Sequence, residues 1–239
     1  MREYRIIPIE ENHKRSTSSY EYVIYGNHEN IIRMRKSKHF FIDRIFHHPS
    51  EFSQMLIIMY KDYITALKIP GLYILVNSKR EELYNYVFNA VIDLVTIKRT
   101  INIDLQKVVT DQEKALINSI KKYFPNIKRI SCLYHYKQDI LRNLKSYGLF
   151  KKSQKKTSLI ILYELGKIPF TYKGNINIVN TICEGLNKKY PLYENFINQY
   201  FLKNKLEYFK DNSLDYCNIP ENCRSNSYLE IKMDILNLN

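Results

Sequence analysis

This sequence predicts an α/β fold: a mixed sheet flanked by helices, followed by a mainly helical tract. Three observations predict it. Short apolar runs bounded by turn formers fill residues 40–76, strand-like and helix-like segments then alternate to residue 148, and residues 149–220 lose that alternation.

Residues 1–38 are polar and charged without a sustained period. They read as a loosely ordered lead-in holding one strand near Tyr20–Tyr25. Phe40–Phe46, Met55–Tyr60 and Leu72–Val76 follow, separated by Pro49-Ser50 and Pro70-Gly71 and closed by Asn77-Ser78. Their length and their Ile, Phe, Tyr and Val content favour strands, and short connections favour antiparallel pairing. Ser78-Lys79-Arg80-Glu81 has capping-box spacing, in which the Ser and Glu side chains satisfy exposed N–H groups at a helix start. Leu83, Val87, Ala90, Val91 and Leu94 then recur at helical spacing, so residues 80–96 are expected to be an amphipathic helix.

Val108-Val109 ends a further strand, and Thr110-Asp111-Gln112-Glu113 repeats the capping spacing before a second helix closed by Pro125. Arg129–Leu133 reads as a strand. A third helix carries Ile140, Leu141 and Leu144, with Gly148 suited to the left-handed residue beyond its end. Three antiparallel strands followed by strand–helix alternation is the order expected of a ribonuclease H-like domain. The expected organisation is therefore a lead-in at 1–38, a core at 39–148, a helical insertion at 149–220 and a C-terminal segment at 221–239.

The formal net charge is +13, from 37 Lys and Arg against 24 Asp and Glu. A balance this basic favours a polyanionic partner. The charge is concentrated between Lys121 and Lys156. There Lys121, Lys122, Lys128, Arg129, Lys137, Arg142, Lys145, Lys151, Lys152, Lys155 and Lys156 face one acid, Asp139. Such a run is either a solvated helical face or a phosphate-contacting surface, and the lack of neutralising acids favours DNA. The longest apolar stretch, Met55 to Tyr60, is far short of the roughly 18–20 residues of a membrane span. No membrane partner is therefore expected. Four cysteines and an N-terminus that turns acidic early point to a reducing, intracellular setting.

Asp43 sits inside the otherwise apolar Phe40–Phe46 run, where a carboxylate is costly unless a cation or hydrogen bonds compensate. Asp111 sits at a strand-to-helix junction. Two carboxylates at strand ends of one sheet can face a divalent metal, which wants hard oxygen ligands. In two-metal sites such oxygens hold cations about 3.5–4 Å apart and stabilise both ends of phosphoryl transfer. The structural alternatives are concrete. Asp43 could pair with Arg44 or Arg33, and Asp111 could serve only the first helical turn.

Four blocks carry a family resemblance. Phe41-Ile42-Asp43 through Ile69-Pro70-Gly71-Leu72 and Arg80-Glu81-Glu82-Leu83 resembles the catalytic domain of Mutator-like element (MULE) transposases. Val109-Thr110-Asp111-Gln112-Glu113-Lys114-Ala115-Leu116 is similar to that family's TDxExAL block. Cys132-Leu133-Tyr134-His135 stands where the family has a Cys-x-x-His signature. Arg224-Ser225-Asn226-Ser227-Tyr228-Leu229-Glu230 resembles the block bearing its third acid.

The resemblance implies Asp43, Asp111 and Glu230 as catalytic acids holding two Mg²⁺ for cleavage and strand transfer at transposon ends. It also implies a nuclear setting, a possible homo-oligomer, and supporting roles for Cys132, His135, Arg224 and Asn226. Cys132 and His135 have zinc-ligand spacing, with Cys217 and Cys223 downstream as completers, but zinc is not expected and structural support is. Relatives place small residues after the first acid, whereas this chain has Arg44. Arg44 either points to the other strand face, since side chains alternate, or competes with the metal. The rival expectation is thus a clipped, non-catalytic, nucleic-acid-binding remnant. Aromatic residues through 190–209 recur at helical spacing and are expected in the core rather than stacked on bases.

Overall fold

The computed structural model describes residues 7–8, 21–45, 52–96, 103–171 and 175–205. The described strands are β1 (Ile7–Pro8), β2 (Tyr22–Gly26), β3 (His39–Ile45), β4 (Gln54–Lys61), β5 (Lys68–Val76), β6 (Lys107–Thr110) and β7 (Lys128–Ser131). They form one mixed sheet in the order β1-β2-β5-β4-β3-β6-β7. β3, β4 and β5 pair antiparallel, as their short connections require, and β6 lies parallel to β3. The helices are α1 (His28–Arg35), α2 (Glu81–Thr96), α3 (Lys114–Tyr123), α4 (Leu133–Ser146), α5 (Lys155–Thr171) and α6 (Ile176–Lys189). A short 3₁₀ turn at Pro191–Tyr193 and a π-helical segment at Phe196–Lys205 follow. The chain divides inside β7 into two compact units, Met1–Arg129 and Ile130–Asn239.

The core of the first unit follows from strand and helix periodicity. β4 alternates strictly, burying Gln54, Leu56, Ile58 and Tyr60 and leaving the intervening residues half-buried. This face joins Phe40, Ile42, Leu72 and Ile74 of the neighbouring strands in one apolar cluster with α2 and α3. α2 offers Leu83, Val87, Phe88, Val91 and Val95 to it at helical spacing. Its residues match the expected amphipathic helix at 80–96 to within one position.

Residues 21–38 hold more than the expected lead-in. β2 extends the sheet beside β5, and α1 follows it, opened by the Asn27 side chain accepting from the Glu29 N–H at 2.8 Å. Met34 of α1 is fully buried over β5. A Cβ on Gly71 would come within 2.3 Å of its Sδ, so this glycine is the close approach that lets the helix seat. Only eight residues long and mostly polar, α1 shows too little periodicity to be read from sequence.

The second helix also differs from expectation. α3 begins at Lys114, with Glu113 as its N-cap and no side-chain cap bond, so the Thr110–Glu113 spacing is not a capping box. Both acids of that block are otherwise engaged, as described below.

In the second unit the described residues after β7 are mainly helical; of the helical insertion expected at 149–220, residues 206–220 lie outside the described residues. Gly148 has φ of +70°, and the Leu149 N–H reaches the Leu144 carbonyl at 3.0 Å, closing α4 with the expected left-handed residue. Tyr193, Phe196, Tyr200 and Phe201 are buried, the core role expected of them, and Tyr208 and Phe209 lie outside the described residues. Among the described residues, no helix is long and apolar enough to cross a membrane.

One titration follows from the strand ends. Burial pushes the pKa of His39, at the start of β3, down to about 4, and the charges of Lys107, Lys61 and Lys38 push it the same way. Unfolded, it titrates near 6.5. The folded chain therefore binds fewer protons between these values. This contribution to stability is complete above about pH 6.5 and declines as pH falls towards 4. Urea unfolding of wild type and His39→Gln across this window checks it, the variant being expected to show the shallower dependence.

Candidate functional site

The parallel register pairs His39 with Lys107 and runs to Ile42 with Thr110. Asp43 and Asp111 each follow the last pair by one residue, so both acids emerge at the same end of adjacent strands. The buried runs Phe40–Ile42 and Val108–Thr110 carry them there, because each strand must bury its apolar residues before it can present a charge. Asp43 lies within β3, paired with Ile57 of β4 two residues before the strand ends, whereas Asp111 follows the last residue of β6.

Arg44 is the residue that defines the site. It stands in phase with Phe40 and Ile42, whose side chains face α2 and α3. Its Nε donates to Asp111 Oδ2 at 2.5 Å, and Nη2 meets the same oxygen. Its Nη1 lies 2.7 Å from Glu113 Oε2. The side chain of Arg44 is 13% exposed, against 8% for Asp111 and 18% for Glu113, so the ion pairs are largely withdrawn from water. Burial works against the guanidinium's charge, but the attraction of Asp111 and then Glu113 outweighs it and raises the pKa of Arg44.

Asp111 uses its second oxygen as well, and Glu113 Oε2 takes a second donor. Asp111 Oδ1 accepts the Glu113 N–H at 3.1 Å, a local turn that holds the chain extended and delays the helix to Lys114. Glu113 Oε2 accepts the Tyr84 hydroxyl at 2.5 Å, and that hydroxyl in turn accepts from Gln54 Nε2. Burial, and then the bond to Glu113, pushes the Tyr84 pKa well above its ordinary range, so the phenol remains a donor. Asp43 accepts the Arg44 backbone N–H at 2.9 Å through Oδ1. Arg33, the other cation considered for Asp43, pairs instead with Glu29 at 2.8 Å and lies 3.7 Å from Asp62.

Glu113, Tyr84 and Gln54 are site residues that no sequence motif singles out for this role. Gln54 left a signal: it is the one polar residue among the alternately buried positions of β4. Glu113 was masked by its capping-box position, and Tyr84 by its place in the apolar stripe of α2.

A hard divalent cation needs carboxylate oxygens turned towards an open coordination position. Here Asp111 turns one oxygen to a guanidinium and the other to a backbone N–H. Glu113 shares its bound oxygen between Arg44 and Tyr84. Such a donor set does not fit Mg²⁺ while Arg44 stands there. Among the described residues, no three His, Cys, Asp or Glu side chains group so as to hold a metal ion. Glu230, Arg224 and Asn226 lie outside the described residues, as do Cys217 and Cys223.

Cys132 is buried at the N-cap of α4, and the His135 ring packs edge-on against Tyr134 with centroids 5.6 Å apart. The basic window divides between the two units. Lys121 and Lys122 are exposed in the last turn of α3, while Lys128 and Arg129 are half-buried in β7. In the second unit Lys145, Lys151 and Lys152 are exposed, and Arg142 lies 3.3 Å from Asp139. Lys137 is half-buried, its stem against Gly166, and burial lowers its pKa.

Residues 39–139 match the MULE transposase domain. The matched segment contains Asp43, Arg44, Asp111, Glu113, Cys132 and His135. No curated protein matches the chain.

Proposed function

We propose that this chain is a transposase-derived, ribonuclease H-like nucleic-acid-binding protein in which the Arg44 guanidinium takes the place of a divalent cation at Asp111 and Glu113. The observation that carries this reading is the Arg44 guanidinium bound to both Asp111 and Glu113. A monovalent cation tethered to the strand neutralises the two carboxylates and occupies the oxygens, Asp111 Oδ2 and Glu113 Oε2, that a metal would otherwise use. The net charge of +13 and the match to a DNA-acting domain favour DNA as the partner.

The second reading, Mg²⁺-dependent cleavage and strand transfer through Asp43, Asp111 and Glu230, is favoured by the parallel register that brings Asp43 and Asp111 to one sheet end. It requires Arg44 to leave Asp111.

The two readings separate in one assay. Duplex DNA is expected to bind without any divalent ion, with an affinity that falls steeply with salt and is weakened rather than strengthened by millimolar Mg²⁺, and supercoiled plasmid is expected to stay intact with Mg²⁺ or Mn²⁺. Metal-dependent nicking that Asp111→Asn abolishes would sink the proposal and restore the enzyme.

A further inference from the structure

At the end of β3 away from Asp43, the β4–β5 hairpin turns through residues 62–67. Its tip inverts the usual composition of a turn. Tyr63 is 53% exposed, Ile64 65% and Leu67 63%, three large apolar side chains within five residues.

The backbone beneath them is tightly held. Buried Asp62 accepts both the N–H and the hydroxyl of Thr65 at 2.9 Å, and the Asp62 N–H reaches the Leu67 carbonyl at 2.8 Å. Ala66 takes the left-handed conformation at φ 58°. An apolar tip on a braced hairpin is a protrusion already shaped for insertion, because little conformational entropy remains to be lost.

The surroundings state what it would meet. Lys38 precedes β3, Lys61 ends β4, Lys68 begins β5 and Lys107 begins β6, so four adjacent strands place a lysine at this edge. Exposed Lys36 adds a fifth, its ammonium 5.3 Å from the Tyr63 ring centroid. The acids nearby are committed: Asp104 lies 3.7 Å from Lys38, and Asp62 is buried in the turn. Burial is the main cause of the depressed pKa of His39, and the charges of Lys107, Lys61 and Lys38 add to it. A second copy of this chain would bring like charges together across such a contact, whereas a phosphate backbone complements them.

We infer that the β4–β5 hairpin tip is a wedge that inserts Tyr63, Ile64 and Leu67 between base steps of duplex DNA while the flanking lysines grip its phosphates. The inference rests on the nucleic-acid reading given above and adds a contact surface to it. Apolar wedges of this kind partly unstack a base step and gain a bent, more enveloping contact in return.

The test uses the full chain and a duplex carrying 2-aminopurine, which brightens when unstacked. Wild type is expected to bind and to raise the emission. The triple variant Tyr63→Ala, Ile64→Ala, Leu67→Ala is expected to bind at least about tenfold more weakly, with no rise at saturation. All three side chains are exposed, so matching far-UV spectra and melting curves are expected. Lys36→Gln with Lys38→Gln should weaken binding and flatten its salt dependence while preserving the emission at saturation.

Equal binding and equal emission by wild type and triple variant would overturn the wedge and leave the nucleic-acid reading standing. Failure of wild type to bind any duplex would overturn both. Loss of binding to vesicles containing phosphatidylserine, with DNA binding unchanged in the triple variant, would overturn the wedge in favour of a lipid surface.

Discussion

Replacing Arg44 with alanine is expected to destabilise the first unit by about 3 kcal/mol, the scale on which removal of one partner from a buried ion pair is felt. Asp111 and Glu113 would be left as two largely buried like charges without the guanidinium that neutralises both. Part of the loss should return with a divalent cation, because removal of the side chain frees Asp111 Oδ2 and leaves Glu113 Oε2 with the Tyr84 hydroxyl as its remaining donor. A ligand that binds only the folded state adds about 2.7 kcal/mol at one hundred times its dissociation constant. Thermal melts should therefore coincide for wild type in EDTA and in Mg²⁺ and diverge for the variant, whose melting temperature rises with the metal. Wild-type melts that rise with Mg²⁺ while those of the variant do not would reverse the account.

The second large effect concerns Tyr84. Its ring is fully buried in the α2 stripe, and its hydroxyl joins Gln54 to Glu113. Tyr84→Ala is expected to cost about 3–5 kcal/mol, as truncation of a buried aromatic does. Tyr84→Phe isolates the polar part. It keeps the ring, leaves Gln54 Nε2 without its acceptor and removes one donor from Glu113, for an expected loss of about 1–3 kcal/mol. Urea unfolding of Tyr84→Phe, Glu113→Gln and the double variant measures the coupling directly. The double variant should lose less than the sum of the singles, since both act on one bond. Strict additivity would show that the hydroxyl and the carboxylate contribute independently.

What could be read from the sequence follows the range of the interactions involved. β3, β4, β5 and α2 are legible because their signals are local: apolar runs of strand length, turn formers at their ends, and a helical repeat from Leu83 to Leu94. The pairing of α1 with β5 is not, because it depends on Met34 meeting Gly71 across 37 positions of sequence.

The site divides in the same way. Asp43 and Asp111 stand out alone, the one a carboxylate inside an apolar run and the other a carboxylate just after one. Arg44 was visible as a departure, but its neighbours left two orientations open, and only the register of β3 against β6 directs it to Asp111. Glu113 illustrates the limit best. Its spacing from Thr110 satisfies a helix-capping rule, yet Arg44 and Tyr84, both distant in sequence, claim its side chain, and the helix starts at Lys114, three residues later than that rule would start it.

Mn²⁺ titration followed by electron paramagnetic resonance tests the central claim most directly, since bound and free ion are distinguished without any assay of activity. The account predicts that wild type retains no ion at the strand-end acids. It also predicts that Arg44→Ala acquires a site, which Asp111→Asn in the same background removes. A site in wild type that disappears on Asp111→Asn alone would contradict it.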